Sequence, residues 1–188
     1  MQTLAGKIGP AMALAEPALP EISPMLVSPT IKYCEACGHP TEEKIPAGDH
    51  LPRRVCGHCG RIHYQNPRMV VGCVAEWRGK VLLCRRAIEP RAGRWTLPAG
   101  FLENNETVEE GALRETREEA LATVKDPVPF ALVNVPHVHQ VHLFFRALLE
   151  HGSHGVGAET LETGLFDAPG IPWAEIAFPS VRYALECY

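Results

Sequence analysis

The sequence contains no long apolar run, no strong excess of one charge and no internal repeat. No apolar segment among its 188 residues approaches the roughly 20 residues that an α-helix needs to cross a bilayer, so we expect no contact with a membrane. The formal net charge is −4, which provides no positive field for nucleic acid to follow. We therefore do not expect a nucleic-acid partner.

The sequence also lacks the cysteine pattern of a secreted disulfide framework. Its seven cysteines are an odd number, and four of them form two C-x-x-C units, which favours metal binding in a reducing compartment. Residues 1–30 are rich in proline, carry few charges and have no period, so they are predicted to be a flexible leader. This leader is too interrupted for a secretory signal and lacks the Arg and Ser bias of a transit peptide. The cytoplasm is the expected location, with organelle targeting left open.

Two cysteine pairs predict a small zinc-binding domain over residues 31–66. The pairs are separated by eighteen residues, a spacing typical of tetrahedral zinc sites with four thiolate ligands, which are structural rather than catalytic. A hairpin over residues 41–55, turning at 46–49, is expected between them. Redox thiols are the alternative, although one C-x-x-C would suffice for that. The predicted zinc ligands are Cys34, Cys37, Cys56 and Cys59, with His39, His58 and His63 as nearby alternatives.

The second predicted domain covers residues 67–188 and begins after a turn at Asn66-Pro67. An apolar, β-branched strand is expected over 69–77, followed by a turn at Arg78-Gly79 and a return strand over 80–84. Further strands are predicted over 130–135, 138–149 and 161–166, and a short helix start over 171–177.

The helix in this domain is signalled by its sequence over residues 100–122. Thr107 followed by Glu110 forms a capping box, and small or apolar residues recur every four positions from Val108, as a packed helix face requires. Residues three and four apart are neighbours on a helix, so Glu115, Glu118 and Glu119 crowd one patch. One interpretation is a solvated acidic face partnered by arginines; the other is a site for a hard divalent cation, which prefers oxygen ligands.

Gly100 and Glu106 precede this patch and Arg114 adjoins it, and the whole pattern resembles the Nudix box, G-x5-E-x7-R-E-U-x-E-E-x-G-U, where U is a bulky aliphatic residue. The sequence matches its glycine, its arginine and its four glutamates at the family spacing. Two positions depart from it: Thr116 replaces an aliphatic residue and Leu121 replaces a glycine. These departures concern the packing and the end of the helix rather than the ligands. The matching residues are Gly100, Glu106, Arg114, Glu115, Glu118 and Glu119.

The resemblance implies a Nudix α/β/α sandwich around a mixed sheet, and metal-dependent hydrolysis of a nucleoside diphosphate linked to another group. The cofactors it implies are Mg²⁺ or Mn²⁺ at the box, beside the structural Zn²⁺. It assigns Glu115 and Glu119 as metal ligands, Glu118 as ligand or base, and the Ala99 carbonyl as a further ligand. The remaining roles are Arg114 and Glu106 as supporting partners, Glu159 or Glu162 as general base from a later loop, and Arg85 and Arg94 as phosphate contacts, with plain solvation as the alternative for both arginines.

Residues 33–178 resemble one subgroup of zinc-ribbon Nudix proteins, the relatives of plant FAD and ADP-ribose diphosphatases. The stretches that carry this likeness are HYQNP-x-x-VVGC, LLCRRAIEP, WTLPAGFLENNET and IPWAEIAF. The other zinc-ribbon group, the NADH diphosphatases that also remove NAD caps from RNA, carries an S-Q-P-W-P-F-P-x-S-type segment that is absent here, and it remains the alternative. A module that binds nucleotides or nucleic acid without turnover is the competing hypothesis. The resemblance leaves a homodimer open, with the ribbon as a contact surface.

Overall fold

The computed structural model of the chain describes residues 30–188. The predicted leader, apart from Thr30, lies outside the described residues. The first part of the described chain is a three-stranded antiparallel sheet in the order β1-β2-β3. Its strands are β1 (Thr41–Lys44), β2 (Arg53–Cys56) and β3 (Ile62–His63). The predicted hairpin is present as the β1–β2 pair.

The second part is built on a seven-stranded mixed sheet. Its main strands run in the order β10-β5-β4-β9-β8, while β6 pairs with β5 and β7 with β4. Only the β4–β9 pair among them is parallel. The strands are β4 (Arg68–Trp77), β5 (Lys80–Arg86), β6 (Trp95–Thr96), β7 (Ala99–Phe101), β8 (Val124–Val135), β9 (Gln140–Leu149) and β10 (Thr160–Phe166).

A helix covers each face of this sheet, which confirms the α/β/α sandwich. Alternate residues of the central strands divide between the two sides, as the two-residue period of a strand requires. Val71 and Leu82 pack with helix α1 (Val108–Ala120), and Val74 and Leu83 pack with helix α2 (Pro179–Cys187). No helix within residues 30–188 has the length and hydropathy to cross a membrane.

Two elements differ from the expectation. Strand β8 begins at Val124, six residues earlier than predicted. It contains Pro127 and Pro129, and its register shifts at both; because β8 is an edge strand, proline is tolerated at these irregularities. The predicted helix start near residue 171 is a 3₁₀ turn at Trp173–Glu175, and α2 follows it.

Candidate active site

Helix α1 begins as the sequence predicts. The Thr107 hydroxyl accepts a hydrogen bond from the Glu110 amide (3.2 Å), and the Glu110 carboxylate accepts one from the Thr107 amide (2.8 Å). The helix face whose residues recur every four positions is buried from Ala112 onward. Thr116 is fully buried within it, and its hydroxyl donates to the Ala112 carbonyl at 2.8 Å. A threonine therefore replaces the aliphatic residue of the box without an unpaired polar group in the core.

The end of α1 is held by backbone bonds from a glycine-rich loop. Leu121 adopts the left-handed conformation (φ 47°) that the box glycine would adopt, and its amide donates to the Arg117 carbonyl. The amides of Gly155 and Gly157 donate to the carbonyls of Ala120 (2.7 Å) and Glu119 (3.0 Å). A Cβ on Gly157 would lie 1.8 Å from the Glu118 carbonyl oxygen, so only glycine fits there.

Arg114 is the hub of the carboxylate patch. Its guanidinium bonds Glu106 through two nitrogens (2.7 and 3.0 Å), and its Nη1 donates to Glu115 (2.7 Å) and Glu118 (3.1 Å). Nη2 also donates to the Phe101 carbonyl at 3.1 Å. The paired guanidinium lowers the pKa of Glu106 to about 2. One arginine therefore orients three glutamates and ties the helix to strand β7.

Glu119 is the most deeply buried carboxylate of the patch. Burial raises its pKa to about 7, and the nearby charges of Glu115 and Glu159 add to the rise. Its Oε2 accepts a hydrogen bond from the Ala99 amide at 3.0 Å. Ala99 faces Gly72 of β4, and the bond from the Cys73 amide to the Pro98 carbonyl lies beside that pair. Ala99 therefore belongs to a non-hydrogen-bonded pair, and both its N–H and its C=O point away from β4.

Gly100 is required by the position of Glu115. A Cβ on Gly100 would lie 2.4 Å from an oxygen of the Glu115 carboxylate, so any side chain would displace that group. Burial raises the pKa of Glu115, although the adjacent Arg114 opposes the rise. Glu118, by contrast, has 59% of its side chain exposed. The patch thus combines two desolvated carboxylates with one that faces solvent.

The oxygen donors of this patch suit a hard divalent cation. Glu115 and Glu119 are both carboxylates whose burial disfavours the charged form, and a bound cation would offset that cost. The carboxylate oxygens of Glu115, Glu118 and Glu119 do not all lie within 4.8 Å of one another. This spacing remains compatible with Mg²⁺, which keeps several waters and uses one or two carboxylates.

The other predicted site residues make contacts of their own outside the patch. Glu162 lies opposite Arg85 in the sheet and forms an ion pair with it at 3.3 Å. Arg85 also donates to the Gly93 carbonyl (2.9 Å), and Arg94 to the Ala174 carbonyl (3.0 Å). Glu159 lies just before β10, and its negative charge raises the pKa of Glu115 and of Glu119.

The sequence motifs assign no role to Arg86, yet its positive charge lowers the pKa of Glu119 and so partly opposes the effect of burial. It is partly buried, with Nε donating to the Pro90 carbonyl at 2.9 Å and its guanidinium 5.1 Å from the centre of the Phe178 ring. Strand alternation could have identified it. Arg86 shares parity with Leu82 and Cys84, which face α1, whereas Arg85 does not.

The four predicted zinc ligands come together in the ribbon. Their sulfur atoms all lie within 4.8 Å of one another, with Cys34–Cys59 at 3.6 Å and Cys37–Cys56 at 3.5 Å. The Cys59 amide donates to the Cys56 sulfur, and this bond lowers the pKa of that thiol, which favours the thiolate that zinc requires. His39 and His58 stack on each other and, with Cys37, form a second close set. The four thiolates suffice for tetrahedral zinc.

Two family models match most of the described chain. The model described as "Nudix N-terminal", a zinc ribbon, matches residues 32–65, and the model described as "NUDIX domain" matches residues 66–168. A crystal structure of a NUDIX hydrolase from Nitrosomonas europaea is 50% identical with a TM-score of 0.80, covering 83% of this chain and 89% of that one.

Curated relatives carry two kinds of name. The NAD-capped RNA hydrolase NudC of Chromobacterium violaceum is 32% identical over 157 residues, which cover 80% of this chain and 58% of that protein. The ADP-ribose pyrophosphatase of Methanocaldococcus jannaschii is 32% identical over 116 residues, covering 58% of this chain and 67% of that protein. The chain thus spans little more than half the length of its NudC relative. From the two family models and the box geometry, we conclude that the chain belongs to the Nudix hydrolase family and carries the zinc ribbon of that family before its hydrolase domain.

Proposed function

We propose that the chain hydrolyses the diphosphate bond of FAD or ADP-ribose, releasing AMP together with FMN or ribose 5-phosphate. The proposal rests on the hydrogen bonds that fix both carboxylates: Arg114 orients Glu115, and the Ala99 amide holds the buried Glu119. The cofactors of the chain are a divalent metal, Mg²⁺ or Mn²⁺, as in other Nudix enzymes, and the structural zinc of its ribbon.

Glu115 and Glu119 are the proposed ligands of the catalytic metal, with the Ala99 carbonyl beside them. When bound, the metal neutralises diphosphate oxygens and lowers the pKa of the attacking water. The protein supplies the positions: Gly100 leaves room for the Glu115 carboxylate, and Arg114 fixes its direction. Such preorganisation is the main protein contribution to phosphoryl transfer.

We assign proton transfer from the attacking water to Glu118 or Glu159. Glu118 is exposed and hydrogen-bonded to Arg114, so it can reach solvent without leaving the patch. Glu159 is also exposed, and its charge acts on both buried carboxylates. Glu162 is a weaker proposal for this role because it is paired with Arg85.

Arg86 is our proposed phosphate contact, in addition to the predicted Arg85 and Arg94. Arg86 belongs to the strand face that meets α1 and acts on Glu119. A guanidinium is suited to oxyanions because it presents several N–H donors in one plane. Arg85 and Arg94 are exposed enough to contact a larger substrate, although each already donates to a backbone carbonyl.

NADH or NAD-capped RNA is the second candidate substrate. The relatives from Chromobacterium violaceum and Stutzerimonas stutzeri are both named NAD-capped RNA hydrolases. All these substrates share an AMP unit on a diphosphate, so the same metal patch suits each of them. Discrimination therefore rests on groups outside the patch.

Product analysis tests the proposal directly. Purified protein with Mg²⁺, and separately Mn²⁺, is given FAD, ADP-ribose, NADH and a 5′-NAD-capped RNA, and products are separated by chromatography. We expect AMP with FMN or ribose 5-phosphate as the fastest reaction, and much less product from the Glu119→Gln variant. NADH or capped RNA as the preferred substrate would replace the first candidate with the second. Binding without any turnover would favour the non-catalytic module.

A reducing compartment such as the cytoplasm remains our proposal for location, because it keeps the four thiols of the ribbon available to zinc. A homodimer remains a prediction. Size-exclusion chromatography with light scattering would test it.

A further inference from the structure

A cleft separates the ribbon from the hydrolase domain, away from the box helix. It has a volume of about 280 Å³, near the lower end of the roughly 300–1,000 Å³ of small-molecule sites. One wall comes from β2 and β3, and the other from the joint between the domains and the β8–β9 connection. The residues that define it here are Arg53, Arg54, His63, Asn66, Pro67 and His139.

His63 is the unusual residue of this cleft. Its side chain is 2% exposed, and its Nε2 has no hydrogen-bond partner among residues 30–188. Its Nδ1 lies 3.9 Å from a Glu35 carboxylate oxygen, beyond hydrogen-bond distance. A buried imidazole nitrogen without a partner is costly, and such groups call for an explanation such as a bound ligand.

The strand register places a cation beside this imidazole. Arg54 pairs with His63 across β2 and β3, and with Glu43 across β1 and β2. Residues that face each other across an antiparallel pair project from the same side of the sheet. The Arg54 guanidinium is anchored by its Nε to the Ile31 carbonyl (3.0 Å) and the Thr41 hydroxyl (3.1 Å), so it is held in place before any ligand arrives.

The guanidinium donors of the cleft and a neighbouring tyrosine favour a phosphate-bearing ligand with a flat ring. The described lining carries two guanidinium groups, Arg53 and Arg54, and one carboxylate, Glu43. Arg53 is ion-paired with Asp49 at 2.9 Å, so Arg54 is the main cation for a phosphate. Arg53 also lies 5.2 Å from the centre of the Tyr64 ring, and Tyr64 is 60% exposed. Guanidinium groups bind phosphate, and an exposed tyrosine offers a face for a base to stack on.

We propose that this cleft is a second nucleotide-binding site, separate from the metal patch. The phosphate lies between Arg54 and His139, His63 Nε2 bonds the ligand inside the cleft, and the base lies toward Tyr64. The ligand is either a free mononucleotide or one nucleotide of a single strand. The site does not depend on diphosphate hydrolysis.

The test uses the full chain without Mg²⁺ or Mn²⁺, so that hydrolysis is silent. Long-range ¹H–¹⁵N spectra of the histidine side chains are recorded during titration with 5′-AMP, adenosine and a 5′-phosphorylated six-nucleotide RNA, and affinities are measured by calorimetry. We expect the His63 resonance to shift with AMP, and adenosine to bind at least tenfold more weakly. RNA binding at least tenfold tighter than AMP would identify a strand as the source, and equal affinity a free nucleotide.

The variants are chosen to separate binding from folding. His63→Phe keeps the ring volume and removes Nε2; His139→Asn keeps a residue that tolerates the left-handed backbone (φ 53°) found there. Both should weaken AMP binding at least fivefold. His137→Asn, on the same connection but outside the cleft, is the control and should not. Zinc content and melting temperature verify the fold of each.

An unmoved His63 resonance with every ligand would overturn the proposal, as would unchanged affinity in His139→Asn. Because no metal is present, these outcomes are independent of whether the proposed diphosphatase activity is found. Should His63→Phe fail to fold, the wild-type resonance and His139→Asn still decide the question.

Discussion

The buried carboxylate of Glu119 destabilises the folded protein when it is ionised, and replacing Glu119 should reveal this. Its pKa is raised from 4.5 to about 7 by burial, so its contribution to stability is full below pH 4.5 and is lost as the pH rises through 7. In buffer without Mg²⁺ or Mn²⁺, Glu119→Gln should therefore become more stable than the wild type as the pH rises from 4.5 to 8. The expected difference at pH 8 is roughly 3 kcal/mol, measured by urea unfolding across that range.

The same variant should lose most diphosphatase activity. Mg²⁺ should raise the melting temperature of the wild type at pH 8 but not that of Glu119→Gln, because ligand binding stabilises only a fold that holds the ion. Full activity in the variant, or equal stabilisation of both proteins by Mg²⁺, would remove Glu119 from the metal site.

Arg114 should matter far more than its neighbour Arg117. Arg114 bonds three glutamates and the Phe101 carbonyl, whereas Arg117 is exposed on the same helix. Arg114→Ala should lower the unfolding free energy by about 2 kcal/mol, since it leaves partly buried carboxylates unpaired, and should lower kcat at least tenfold. Arg117→Ala is the control for helix propensity and should change neither. Similar losses in both variants would indicate a general effect on the helix.

The end of helix α1 stores strain that can be removed. Leu121 holds a positive φ of 47° with 60% of its side chain exposed, and this conformation costs a non-glycine residue about 1–2 kcal/mol. Leu121→Gly should stabilise the protein by roughly 0.5–1 kcal/mol, after the larger unfolded-state entropy of glycine is subtracted. Thermal unfolding measures this. Leu121→Ala, which keeps the strain, should not stabilise; destabilisation by glycine would mean that the Leu121 side chain packs more than its exposure indicates.

The two helices differ in how well the sequence alone predicts them. Helix α1 was predictable because its capping box and its packing stripe are local signals. Helix α2 has only Pro179 at its first position and no side-chain cap, and its buried face, Val181, Ala184 and Leu185, is short. Its helical state depends on packing against the sheet, since isolated helices of this length are marginal in water.

The fold of the ribbon should depend on its bound zinc. Because four thiolates hold it together and its sheet has only three short strands, Cys37→Ser should lower bound zinc and melting temperature, with a smaller change in kcat per folded molecule. Atomic absorption and calorimetry make the measurement. Cys187→Ser is the control, because Cys187 is exposed and lies outside the cluster. Unchanged zinc stoichiometry in Cys37→Ser would contradict the assignment.

The sequence by itself determined the parts whose chemistry is local or strictly spaced: the two cysteine pairs, the capped helix, the Arg78-Gly79 hairpin and the box that brings glutamates to one helix face. Spacing suffices there because a helix or a knuckle converts it directly into geometry. The tertiary structure alone decided which distant groups meet that face. It brought the Ala99 amide to Glu119, and it brought Glu159 and Arg86 near the buried carboxylates. It also brought His63 into a cleft with His139. Those meetings depend on strand order, register and parity across the whole sheet, and no window of sequence contains that information.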